Sequence, residues 1–149
     1  MRASAVRQAI VAALTAISTD DRAARRDKFV LLQTGQRDVE SAVDRTFTLQ
    51  LTAQPHRAES DAISTFVVEY MLTVFYVATP GPSSGEGGAE DRIANDSERI
   101  YAAMDRLHSQ NASVNVCTVS PIGITDALGA MKSQWSLVVS YGLTTGVEA

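Results

Sequence analysis

The sequence predicts an α+β domain, with an antiparallel β-sheet of about four strands on which an N-terminal helix and a second helix pack. Three observations point there. Residues 66–78 are a long run dense in β-branched and aromatic side chains, the signature of a central strand. Residues 46–53 and 135–141 alternate apolar and polar side chains, as strands with one buried face do. Two other stretches, residues 4–17 and 90–109, carry their apolar residues at helical spacing instead. A chain of 149 residues fits one domain with room for a core.

In the first helix Val6, Ile10, Leu14 and Ile17 share a face, while Arg7 and Gln8 break what would otherwise imitate a signal peptide. Ser18, Thr19, Asp20 and Asp21 are poor helix-interior residues and should stop it. The mixed charge run that follows, residues 20–28, reads as a solvated connection or as a contact for an acidic partner. Phe29 to Leu32 is a candidate strand too short for periodicity to decide. In the strand over residues 46–53, Phe47, Leu49 and Leu51 should point inward, with Pro55 ending the strand and His56 facing water in the turn. A hairpin then joins it to the central strand.

On that central strand Phe66, Val68, Tyr70, Leu72, Val74 and Tyr76 fall on one face, and Val67, Glu69, Met71, Thr73, Phe75 and Val77 on the other. Both sets are mostly apolar, so we expect the chain's own helices over one face and a neighbouring molecule over the other. Residues 81–88 are rich in Gly and Ser and predict a flexible loop over about residues 80–90, either an inert tether or a segment that orders on assembly. It is not a phosphate loop, because no Gly-Lys-Ser/Thr follows and Glu86, Glu90 and Asp91 repel phosphate.

The second helix has an apolar stripe of Ile93, Ile100, Tyr101, Met104 and Leu107, with Arg92, Asp96, Glu98, Arg99, Asp105 and Arg106 expected on its wet side. His108 falls at its C-terminal end, where the helix dipole favours a cation. A strand from residue 113 places Val114 and Val116 opposite Asn115 and Cys117 and is expected to stop near Pro121. Residues 122–132 suit a β-extension or a short helix. In the last strand Trp135, Leu137, Val139 and Tyr141 share one side, and residues 143–149 form a loose tail.

The net charge of −4 argues against a general nucleic-acid binder. Charge is nonetheless uneven. Residues 1–57 hold nine of the thirteen basic residues against six acids, and residues 58–149 hold four against eleven, an asymmetry suited to head-to-tail assembly. Cys117 is the lone cysteine, which excludes an internal disulfide and a cysteine zinc site and makes a reducing cytoplasm the simpler expectation. His56 and His108 lack ligand spacing, and no nucleophile elbow is present, so an enzyme is not expected and no catalytic, cofactor or metal residue is assigned. No run reaches the length of about 18 apolar residues needed to span a bilayer. Asn111-Ala112-Ser113 matches a glycosylation sequon, which means little without a secretory signal.

Residues 91–107 (DRIANDSERIYAAMDRL), the NVCTV strand at 115–119 and the closing WSLVVSY at 135–141 resemble the C-terminal half of the tail terminator, or tail completion, proteins of long-tailed bacteriophages. In that family an N-terminal helix, a hairpin with a long second strand, a helix with an Ile-Tyr-x-x-Met stripe and two final strands follow in this order. The resemblance implies a virion protein, assembled in the host cytoplasm, that sits at the head-proximal end of the tail as a usually hexameric ring. Its implied partners are further copies of itself, the tail tube protein, whose polymerisation the ring stops, and the head connector or neck proteins. Direct nucleic-acid recognition and membrane contact are not implied. Arg22, Arg25, Arg26, Ser83, Ser84 and Glu86 are the expected partner contacts, chosen for their exposed setting. A head-tail adaptor that binds the connector is an alternative within the same class. A small-ligand or regulatory domain is an alternative outside it.

Overall fold

The computed structural model describes residues 2–19, 28–32, 44–57, 65–77, 89–111, 114–127 and 130–142. The described elements are α1 (Ala3–Thr15), β1 (Val30–Leu31), β2 (Thr46–Arg57), β3 (Thr65–Val77), α2 (Ala89–Asp105), α3 (Leu107–Gln110), β4 (Val114–Ala127) and β5 (Ala130–Gly142). The strands form one sheet in the order β1-β2-β3-β5-β4, so the long apolar strand β3 is indeed central. Every pairing is antiparallel except β1 with β2, which is parallel. The class is the mixed α+β fold that the periodicities predict, with β1 as an additional strand.

The core lies between the helices and one face of the sheet. Val68, Leu72, Val74 and Tyr76 of β3, Phe47 and Leu49 of β2, and Trp135, Leu137, Val139 and Tyr141 of β5 are buried against Val6, Ile10 and Leu14 of α1 and Ile93, Ile100, Met104 and Leu107 of α2 and α3. Their spacings of two on strands and three or four on helices are what bring them to one layer. α1 ends at Thr15, whose hydroxyl donates back to the Val11 carbonyl at 2.9 Å, and Ile17 still reaches the core from beyond the helix. Trp135 is buried, as a core residue should be. It meets Tyr101 edge to face at 5.3 Å, and its Nε1 donates to Ser133 Oγ at 3.0 Å.

Three boundaries differ from expectation, and proline explains two of them. Pro55 does not end β2, which continues through His56 to Arg57 by way of irregularities between Leu51 and Ala53 and between Ala53 and His56. β1 pairs only with Thr46 and Phe47, so this part of β2 has no described outer neighbour and a missing N–H is tolerated there. His56 is therefore an exposed strand residue and not a turn residue. Pro121 likewise sits inside β4, the opposite edge strand, and the chain takes up a bulge between Pro121 and Gly123 before continuing to Ala127. The stretch after Pro121 is thus a β-extension.

A second bulge between Val114 and Val116 changes the alternation at the start of β4, so that Cys117, level with Val139, shares the helix-side face with Val114. The third boundary is in the second helix, where a turn at Arg106 separates α2 from the single turn of α3. His108 lies in α3, and its ring Nδ1 contacts the Val114 carbonyl, tying helix end to strand start. Because the acceptor is a carbonyl, that nitrogen carries the proton.

Leu72 has no exposure and sits at the middle of the central strand. Leu72→Ala should cost about 2–5 kcal/mol in urea unfolding. The exposed Thr118→Ala should stay within about 0.5 kcal/mol.

Candidate functional site

Seven residues at one end of the sheet form a buried charge network. Asp44 and Arg45 immediately precede β2, Tyr76 and Val77 end β3, and Arg92, Asp96 and Arg99 lie along one side of α2. Arg45 and Asp96 have no exposure and Arg92 has 1%. Arg45 grips Asp96 with two bonds, Nε to Oδ2 at 2.7 Å and Nη2 to Oδ1 at 3.2 Å. Tyr76 donates its hydroxyl to the same Oδ2 at 2.9 Å, and Arg99 donates to Oδ1 at 2.7 Å from the network's outer side. The carboxylate of Asp96 is thus held by three side chains from three elements.

The second half of the network closes the end of β3. Arg92 Nη2 donates to the Val77 carbonyl at 2.6 Å and to Asp44 Oδ1 at 3.2 Å, while Asp44 Oδ1 also accepts the Val77 N–H at 3.0 Å. Arg92 Nε lies 3.0 Å from Asp44 Oδ2 without the alignment of a hydrogen bond, so that approach is held by charge attraction. Arg45 takes a φ of 63°, the left-handed region that a branched or bulky side chain seldom adopts. Its N–H donates to the Phe75 carbonyl at 2.8 Å and its own carbonyl accepts the Val30 N–H at 3.1 Å, so the strained residue joins β1 to β3 through the backbone.

Burial sets the acid–base character here. It raises Asp44 above its ordinary 3.8, with the attraction of Arg92 working against the rise. Tyr76 is pushed well above its ordinary range, first by burial and then by the adjacent Asp96 carboxylate, so its hydroxyl stays a donor. Elsewhere, burial and then Asp105 push the Cys117 thiol up to about 11, which makes it a poor nucleophile at neutral pH. Among the described residues no group of three His, Cys, Asp or Glu is placed to hold a metal ion.

Arg92 and Asp96 correct the expectation that they decorate the wet side of the second helix. Both are buried in the network, because Asp96 falls at helical spacing between Ile93 and Ile100, inside the apolar stripe. A charged residue within that stripe was the available signal, and it calls for an opposite charge from another segment. Asp44 and Arg45, just ahead of a strand, gave no comparable sign. The expected partner contacts Arg22, Arg25, Arg26, Ser83, Ser84 and Glu86 lie outside the described residues, as do the flexible loop and the C-terminal tail.

Two further surfaces are defined. The sheet face away from the helices carries Val67, Glu69 and Met71 of β3, half-buried, beside Lys132, Gln134, Ser136, Val138 and Ser140 of β5. Lys132 reaches over the Phe75 ring at 5.6 Å and Gln134 approaches Met71 Sδ at 3.9 Å, so the apolar side chains of β3 are interleaved with polar neighbours. A groove of about 350 Å³ runs between α1 and the α2–α3 bend, floored by Ala9, Ala12, Ala13 and Ala16 and rimmed by Arg106 and Asn111. No helix is long and apolar enough to cross a membrane among the described residues. No protein-family model matches the chain, and no curated protein matches it.

Asp96→Ala removes the carboxylate that the buried Arg45, Tyr76 and Arg99 share and should cost about 3–5 kcal/mol by chemical denaturation. Arg45→Gly should be more stable than Arg45→Ala by about 1 kcal/mol, since both lose the ion pair but only glycine accepts the left-handed backbone freely. The pH dependence of Asp44 has a definite sign. Its folded carboxyl binds a proton more readily than the unfolded one, so its contribution is fully present below 3.8 and is lost as pH rises through the folded value. Urea titrations of the wild type and Asp44→Asn at several pH values from mildly acidic to neutral should show the wild type losing stability relative to the variant as pH rises.

Proposed function

We propose that this chain is a structural assembly protein that forms a ring capping a phage tail tube, stopping its polymerisation and offering a surface for head joining. The observation that carries the reading is the one-sided placement of the helices. All the described helix residues in the core pack on a single sheet face, and the opposite face, with Val67, Met71 and Val138 half-buried, has no described helix over it. A sheet with one face left to a neighbour suits a subunit that completes its burial in an oligomer. The order of helix, hairpin, helix and hairpin agrees with the sequence resemblance to tail terminators.

The groove between α1 and the α2–α3 bend favours a second reading, a small-ligand or regulatory domain, since its volume falls within the range of about 300–1,000 Å³ usual for such sites. Its alanine floor would accept a flat apolar group, with Arg106 and Asn111 available to a polar end.

Native mass spectrometry with electron microscopy, before and after addition of tail tubes, separates the readings. A ring, free or formed at one tube end, is the expected result. Binding to connector alone would move the function to a head-tail adaptor. A monomer indifferent to tubes and connectors but stabilised by a small molecule, with the effect lost in Arg106→Ala, would replace assembly with ligand binding.

A further inference from the structure

We infer that the surface between α2 and β4 takes a cationic segment of a partner polypeptide, with an apolar side chain seated on Tyr101, Pro121 and Ile124 and basic side chains meeting Glu98, Asp105 and Asp126. Tyr101 is 40% exposed, Ile124 is 55% exposed, and Pro121 is exposed beside them. Trp135 brings the three together. The Tyr101 ring stands edge to face on the indole at 5.3 Å, Pro121 is level with Trp135 in the neighbouring strand, and Ile124 is level with Ser133, to which the indole Nε1 donates at 3.0 Å. Residues paired across an antiparallel ladder share a face, so Pro121 and Ile124 lie on the helix side with Tyr101.

Carboxylates surround this patch, and the strand register places them. Tyr76, bonded to Asp96 of α2, is level with Met131 and through it with Asp126, so Asp96 sits at the Asp126 end of the sheet and α2 runs from there towards Trp135. Glu98 precedes Tyr101 by three residues and Asp105 follows it by four, which puts both acids on the Tyr101 face of the helix. Asp105 is close enough to Cys117 of β4 to help push its thiol up. Asp126 lies two residues beyond Ile124 on the same strand face. All three acids are exposed, and among the described residues no base pairs with them. Of the cations on these elements, Arg92 and Arg99 belong to the network, Lys132 reaches over Phe75 on the opposite sheet face, and Arg106, just after α2, borders the groove beside α1.

The chemistry selects the partner. Nucleic acid and anionic lipid are repelled by such a rim. An apolar centre ringed by carboxylates that no described base neutralises is the complement of a polypeptide segment with Lys or Arg on either side of a Leu or Phe. The apolar contact supplies area, and the charges decide which segments are admitted. This patch is separate from the sheet face that carries the capping proposal, and its occupation stands or falls independently.

Three fluorescein-labelled peptides test this on the full chain: Lys-Leu-Lys-Phe-Lys, its charge-reversed form Glu-Leu-Glu-Phe-Glu, and Lys-Ala-Lys-Ala-Lys, which keeps the charge without the apolar side chains. Anisotropy should show saturable binding of the first alone, and the same peptide without its label should change the emission of Trp135, the chain's only tryptophan. Ile124→Ser, and Glu98→Lys combined with Asp126→Lys, should each weaken binding about tenfold or more. No saturable binding, equal binding of either control peptide, or an affinity unchanged in either variant would overturn the inference. The comparison of the three peptides needs only the wild type, so it decides the matter even if a variant does not fold. Trp135 emission that shifts with protein concentration in the absence of peptide would give the patch to a second copy instead, and would equally overturn it.

Discussion

The fold depends on one buried carboxylate. Asp96 sits in the apolar stripe of α2 and is accepted there only because Arg45, Tyr76 and Arg99 converge on its two oxygens. Two of the three partners come from the sheet, one ahead of β2 and one at the end of β3, with Arg45 separated from Asp96 by 51 residues along the chain. Apolar packing alone would let α2 slide or rotate on the sheet at modest cost, because one aliphatic contact resembles another. A desolvated ion pair has no such tolerance, since a small displacement leaves a charge uncompensated. The second pair, Asp44 with Arg92, fixes the end of β3 through both backbone groups of Val77. Helix, hairpin and sheet end are therefore placed as one unit.

Much of the architecture was legible in the chain because its periodicities are strong. The thirteen residues of β3 announce both of its faces, and Val6, Ile10 and Leu14 announce the buried side of α1. Proline was the misleading signal. Pro55 and Pro121 read as stops, yet Pro121 lies on the edge strand β4 and Pro55 on a part of β2 with no described outer neighbour, and no local pattern tells such a position from an interior one. The bulge at the start of β4 was similarly silent, and it changed which residues face the helices. Of the network, Asp96 was visible as an anomaly within an apolar stripe. Arg45 was not, because neither its burial nor its left-handed backbone follows from the residues beside it.

The surfaces divide the work differently from what the central strand alone suggests. Its second face looks apolar when read along one strand, but in the sheet Lys132, Gln134, Ser136 and Ser140 interleave with Met71, Phe75 and Val138, giving a face that suits a partly hydrated contact. Four of the six large exposed apolar side chains among the described residues, Val30, Leu51, Ile122 and Ile124, lie instead on β1, β2 and β4. This matters for assembly because a face of mixed polarity adapts to several partners, whereas an edge fixes direction.

The charge network also constrains how this sequence can drift over generations. Replacing Arg45, Asp96 and Tyr76 together by apolar residues of similar volume can be neutral for stability, but any single replacement passes through a state with an orphaned charge or donor. For a domain whose whole margin is about 5–15 kcal/mol, a step of about 3–5 kcal/mol removes a large part of the reserve. The intermediate sequences are the ones selection discards. Descendants of this chain should therefore keep the group intact or exchange it as a block, and the left-handed position at residue 45 should become glycine only in lineages that have also abandoned the acid on the helix.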